Sequence, residues 1–238
     1  MLYGYKPDEI FYLFKKYSKK IKYIDFKTVL KLIYGLIFKQ KILIDGLNNG
    51  EIIENLINKK CLEKNIKKIS DVKMPLIIPT VDLHTGKVYC FSSIYKRKAI
   101  SNEIVYTDNI ELGKAVRASC SYPFVFSPCK YDTAILADGG IRENIPWKQI
   151  KELGADKVIC SIFEKNIKER CCKNVIDIIC VSFTLLNSEL ANYEANGSDY
   201  LINIKTKDIG LLDMTKIDEL YIFGYNEAKK QIKNFKIK

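Results

Sequence analysis

The chain has one histidine, His84, and no Cys-x-x-Cys pair among its eight cysteines. Zinc sites need such ligands at short, regular spacing, so no metal is expected, and no other cofactor either. No run of eighteen apolar residues occurs. The nearest, 29–44, is interrupted by Lys31, Lys39, Gln40 and Lys41, which argues against a membrane-spanning helix. No cationic region followed by an apolar stretch opens the chain, so no signal peptide is visible. Internal repeats, linkers and low-complexity segments are also missing. At 238 residues, one domain spanning 1–238 with a single sizeable core is expected.

What is present is ordinary for a soluble globular protein: 47% hydrophobic and 28% charged residues, which excludes a disordered chain. Lysine and arginine outnumber aspartate and glutamate by 39 to 28, giving +11. That excess either coats solvated helix faces or attracts a polyanion, such as nucleic acid or an anionic membrane. The lysines are spread along the chain and not clustered with stacking aromatics, which favours the first and leaves a nucleic-acid module without support. Cys90 and Cys160 lie in apolar strand-like runs, where a free thiol packs as a small hydrophobe. A reduced, intracellular setting is expected.

Pro7 with Asp8 and Glu9 reads as a helix first turn, followed by Ile10, Phe11, Leu13, Phe14, Tyr17 and Ile21 at helical spacing. A second helix is expected over 26–38, and a third from about 49, with Ile52, Ile53, Leu56 and Ile57 inward. The period then changes. Runs 75–81 and 87–92 are strand-like, around a loop with Gly86 as turn residue. Helix is expected over 111–119, an irregular stretch next, a short strand over 134–137, and a short helix opened by Pro146. The continuous apolar run 157–163 predicts a strand covered on both faces. A long helix over 174–194, a strand over 200–204, and a last helix through Leu220, Phe223 and Ile232 complete the chain. Thr215 and Asp218 have capping-box spacing at its start. This alternation argues for an α/β domain with a largely parallel sheet.

One constellation carries chemistry. Residues 115–123 read AVRASCSYP, and 134–146 read AILADGGIRENIP. A strand ending in Asp138-Gly139-Gly140 sets a carboxylate at the end of a sheet, where α/β enzymes place their sites. The glycines permit a sharp turn and close approach. Such an aspartate suits a general base toward a serine hydroxyl. Alone, Asp-Gly is also a common turn dipeptide, so the structural alternative stays open.

With its flanks, the pattern D-G-G-x-x-x-N-x-P preceded by A-S-x-x-x-P resembles the patatin-like phospholipases. Further landmarks are 4–10 (GYKPDEI), 45–50 (DGLNNG), 80–86 (TVDLHTG), and 210–213 (GLLD) through Gly224-Tyr225. The resemblance implies a three-layer α/β/α fold around a mostly parallel central sheet, with its N-terminal strands missing. It implies hydrolysis of phospholipid or other lipid esters by a serine–aspartate dyad, with Asp138 as the aspartate. A dyad needs no histidine, in keeping with a chain that has one. The departure from the family is equally plain: no G-x-S-x-G elbow and no oxyanion glycine loop occur among these residues. The chain alone is therefore expected to be inactive. Open strand edges beside the Asp138 strand are expected to make it poorly soluble.

Ser119 and Ser121 read as polar groups bonded where a helix ends, Cys120 and Cys129 as packing residues, His84 as a surface turn residue and Trp147 as packing. The implied partners are a lipid ester substrate and, peripherally, an anionic membrane, with no nucleic acid. A cytoplasmic or peripheral-membrane location is expected. The alternative is a non-catalytic family member that binds lipid surfaces or a partner.

Overall fold

The computed structural model describes residues 4–18, 26–94, 103–165, 172–173, 175–206 and 214–235. In chain order they form helices α1 (Pro7–Ser18), α2 (Phe26–Tyr34) and α3 (Glu51–Leu62), strands β1 (Ile77–Asp82), β2 (Val88–Ser92) and β3 (Ile104–Thr107), and helix α4 (Leu112–Ser119). Strands β4 (Cys129–Tyr131) and β5 (Ala134–Asp138), helix α5 (Trp147–Glu152), strand β6 (Ile159–Lys165), helix α6 (Val175–Ala195), strand β7 (Tyr200–Thr206) and helix α7 (Ile217–Ile232) follow. The class is α/β. Ile21 and 210–213, used above, lie outside the described residues.

Two compact units divide the chain: Met1–Ile10 with Lys19–Glu143, and Phe11–Ser18 with Asn144–Lys238. The first holds a five-stranded sheet in the order β3-β2-β1-β5-β4. The short loop after β1, turned by Gly86 at φ 72°, forces β1 and β2 antiparallel, since parallel neighbours need a long crossover. Pairs β1/β5 and β4/β5 are also antiparallel, while β2/β3 is parallel. The sheet is thus mixed. Strand β5 has β1 on one side and β4 on the other, and β4 fills the edge anticipated as open along Ala134–Leu136. The core is built from Ile69, Phe91, Ala115, Ala118, Cys129 and Leu136. Cys90 is fully buried nearby.

Helix α3 corrects one expectation. Ile53 and Ile57 are half-buried and Cys61 is buried, four residues apart, whereas Ile52 is 39% exposed. Five residues from Ile57, Ile52 sits about 140° around the helix and faces out.

The second unit holds β6 and β7 in parallel, from Ile159↔Tyr200 to Lys165↔Thr206. Here the expectation of a strand covered on both faces fails. Cys160 and Ile162 are buried against Ala195 of α6 and Ile145, while Ile159 is 49% and Phe163 70% exposed. A pleated strand sends alternate side chains to opposite faces, and packing reaches only one of them. Helix α7 follows a 3-10 turn, Met214–Lys216, so Lys216 and not Thr215 is its N-cap, with no side-chain cap hydrogen bond. Asp218 instead pairs with Lys15 at 2.7 Å, and Tyr221 stacks on Phe11 at 4.1 Å. The helix runs through Leu220, Phe223 and Ile232 as anticipated; the first two are half-buried and Ile232 is exposed.

Candidate active site

Asp138 is the last residue of β5, opposite Thr80 of β1. The reason the ladder stops there lies in β1. Backbone N–H groups along that strand alternate between its neighbours: Asp82 donates to Lys87 on the β2 side, and Leu83 donates to Ile135 on the β5 side. By the same alternation residue 79 faces β5, and Pro79 has no N–H to offer. Its carbonyl, on that side too, accepts the Ser119 hydroxyl at 2.8 Å. With no rung beyond Asp138, the chain turns away through a 3-10 turn, Gly139–Ile141. A Cβ on Gly139 would fall 2.5 Å from the Pro79 carbonyl oxygen, so only glycine fits.

The turn holds the carboxylate. Its Oδ1 accepts the Gly140 N–H at 2.7 Å, and the Asp138 N–H donates to the Ser121 carbonyl at 3.1 Å. The two parts of the sequence pattern, 118–123 and 138–140, therefore meet. Asp138 is half-buried; desolvation pushes its carboxyl above the ordinary value, and the Gly140 N–H opposes that rise only in part. Cys120 lies close enough to feel it. Dense neighbours first, and the Asp138 carboxylate second, push its thiol up to about 11. Cys120 nonetheless keeps an exposed surface, which moderates the first cause; the negative neighbour secures the direction. A thiol so raised stays protonated and is a poor nucleophile.

Both serines are committed to carbonyl groups. Besides Ser119 on Pro79, the Ser121 hydroxyl, 1% exposed, lies 3.0 Å from the Arg117 carbonyl and 3.2 Å from that of Ser127. Cys129 is fully buried, its sulfur accepting an Arg117 N–H at 3.1 Å. His84 is exposed in the hairpin turn. The Trp147 ring lies against Gly197, with the ammonium groups of Lys148 and Lys151 over it at 5.6 and 5.8 Å.

Two residues beside the site escaped the sequence reading. Asp82, 2% exposed, accepts from Thr85 Oγ1 at 2.6 Å, from the Ile135 N–H at 3.0 Å and from the His84 N–H at 3.2 Å, pinning the hairpin loop to β5. Burial pushes its carboxyl upward, but these three donors outweigh that and hold it below the ordinary value. Arg142, just past the turn, clamps the Gly86 carbonyl and the Glu103 carboxylate. The only signal for Asp82 was an aspartate three residues before Thr85 at a strand end, the pattern of a side-chain turn. Among the described residues no cluster of three or more histidine, cysteine, aspartate or glutamate side chains is placed to hold a metal ion. A cleft of about 830 Å³ lies elsewhere in the first unit, and Asp138 does not line it.

A family model described as patatin-like phospholipase matches residues 8–150, which include every residue of this site. Over 113 residues the chain is 32% identical to the uncharacterized protein YqhO of Bacillus subtilis (strain 168), covering 45% of the chain and 37% of that protein. Over 146 residues it is 28% identical to the uncharacterized protein R571 of Acanthamoeba polyphaga mimivirus, covering 60% of the chain and 43% of that protein. The chain thus spans less than half the length of these curated relatives.

Proposed function

Because the chain belongs to the patatin-like phospholipase family, we propose that Asp138 is the general base of a serine–aspartate dyad that hydrolyses lipid acyl esters. The supporting observation is the carboxylate's setting: released from the ladder opposite Pro79, held by the Gly140 N–H, and made more basic by burial. In this chemistry the serine proton passes to Asp138 as the serine oxygen attacks the acyl carbonyl. Asp138 then passes that proton to the departing oxygen as the ester C–O bond breaks, so the alcohol leaves and an acyl-enzyme remains. Asp138 next takes a proton from water as the water oxygen attacks the acyl carbon, and returns it to the serine oxygen as the acyl–serine bond breaks and frees the fatty acid. No cofactor enters these steps.

The serine must come from outside these 238 residues, since no G-x-S-x-G occurs among them and Ser119 and Ser121 already serve carbonyl groups. The chain by itself is accordingly without lipid-ester turnover. Those committed serines also favour the alternative, a non-catalytic family member that binds lipid surfaces or a partner.

Ester hydrolysis by the chain alone, and by a form extended with a serine-elbow segment, separates the two. The extended form is expected to turn over, and Asp138→Asn in it to lose roughly 10²- to 10⁴-fold in kcat. Equal turnover by the extended form and its Asp138→Asn variant would remove Asp138 from the mechanism. No turnover by any extended form would favour the binding role.

A further inference from the structure

The lysine excess is one-sided in one segment. Residues 26–44 carry Lys27, Lys31, Lys39 and Lys41 and no aspartate or glutamate. Helix α2 turns Thr28, Val29 and Leu32 inward, half-buried, and Gly35 is buried in the π-helix that continues it, Gly35–Lys39. The opposite side is apolar and open: Phe26 is 74%, Leu30 51%, Ile33 47% and Ile37 65% exposed. Steps of four, three and four residues keep these on one face. Beyond them Phe38 and Ile42 are each 70% exposed. The π-helix folds this end back on itself: the Lys41 N–H bonds the Gly35 carbonyl at 3.1 Å, and a Cβ on Gly35 would fall 2.5 Å from the Lys41 carbonyl oxygen.

Lys27 and Lys31 follow Phe26 and Leu30 by one residue, so they line the flank of the open apolar stripe. They also line the cleft of about 830 Å³, together with Lys114, Arg117 and Lys130. Of the carboxylates there, Glu54 lies 3.7 Å from Arg117 and offsets it, which leaves four lysines facing Asp45 and Glu51. An apolar helix face bordered by lysines and a basic cleft has the make-up of an element that lies in a membrane interface. Two copies meeting through this face would bring lysine against lysine, with no carboxylate in the segment to relieve it.

We propose that the face built from residues 26–43 docks the protein on an anionic phospholipid bilayer. Phe26, Leu30, Ile33, Ile37 and Phe38 enter the headgroup–acyl boundary while Lys27 and Lys31 meet lipid phosphates. This goes beyond the catalytic role of Asp138: it concerns binding alone, and its test reads binding alone.

The full chain, made by cell-free synthesis in the presence of vesicles, is floated on a density gradient. It is expected to rise with vesicles of phosphatidylcholine and phosphatidylglycerol and to stay down with phosphatidylcholine alone. Lys27→Gln with Lys31→Gln is expected to weaken partitioning about thirtyfold, and Lys229→Gln with Lys230→Gln to leave it nearly unchanged. Phe26→Ser with Phe38→Ser is expected to weaken it at least about tenfold, and Phe26→Leu with Phe38→Leu to keep it. Equal flotation on neutral vesicles, no flotation at all, or parental binding by both the Lys27/Lys31 and the serine variants would overturn the proposal. So would equal losses from the Lys229/Lys230 pair, or a self-association that the serine variants abolish.

Discussion

Two aspartates at neighbouring strand ends are pushed in opposite directions by their surroundings. Asp82 is held below its ordinary value by three donors, so its stabilisation is complete above the usual carboxylate range and is lost as pH falls through the lowered value. Asp82→Ala would strand the Ile135 and His84 N–H groups and the Thr85 hydroxyl, at a cost of roughly 2–4 kcal/mol in urea unfolding at neutral pH. The difference from the parent is expected to shrink in acid. Asp138 has the reverse sign: its carboxyl is raised, so the stability it confers is present below the unfolded value and lost as pH rises through the folded one. Asp138→Asn keeps an oxygen for the Gly140 N–H and removes a half-buried charge. Its Tm is expected to exceed the parent's at neutral pH, and the gap to close on acidification. A Tm below the parent's at neutral pH would contradict this electrostatic account. Ser119→Ala leaves the Pro79 carbonyl without its hydroxyl partner and is expected to cost about 1–2 kcal/mol in the same unfolding measurement.

Most of the elements were legible as periodicity. Helices α4 and α6 and the β1–β2 hairpin begin and end within a residue or two of where apolar spacing and turn residues put them, and α1 begins at Pro7 as read. Strands β3 and β4 were not legible, because four and three residues are too few for an alternating pattern to emerge from background. Capping spacing at Thr215 misled because a 3-10 turn moved the helix start to Ile217, with Lys216 as its N-cap. The continuous apolar run of β6 misled because side-chain type states what a position tolerates, while exposure depends on what packs over it. At the candidate site the chemistry of Asp138 was readable from its motif, but its release from the sheet was not. That depends on Pro79 facing β5 and on Ser119 reaching across from α4, contacts forty and more residues apart in sequence. One element also carries visible strain: Gln40 ends the π-helix in the left-handed region, at φ 50° and ψ 35°. Gln40→Gly is expected to add up to about 1 kcal/mol of stability, read as a rise in the urea midpoint at unchanged m-value.

Across the whole molecule the two units differ in how their sheets are supported. In the first, β1 and β5 each have a strand on both sides and lie over a core that includes Phe91 and Leu136. In the second, β6 and β7 form a pair with one apolar face open at Ile159 and Phe163. Two strands alone are marginal, so hydrogen exchange is expected to be slower for amides of β1 and β5 than for those of β6 and β7. Comparable protection in both would contradict this difference. The five-stranded sheet also shows what a single missing proton does. With valine in place of Pro79, β1 would regain a donor aimed at β5, and the zipper of rungs would be free to close one notch past Asp138. The loop that now lifts the carboxylate clear would be drawn flat, at the expense of the Gly139 contact. A residue that strengthens most strands would here erase the one place where the sheet lets go.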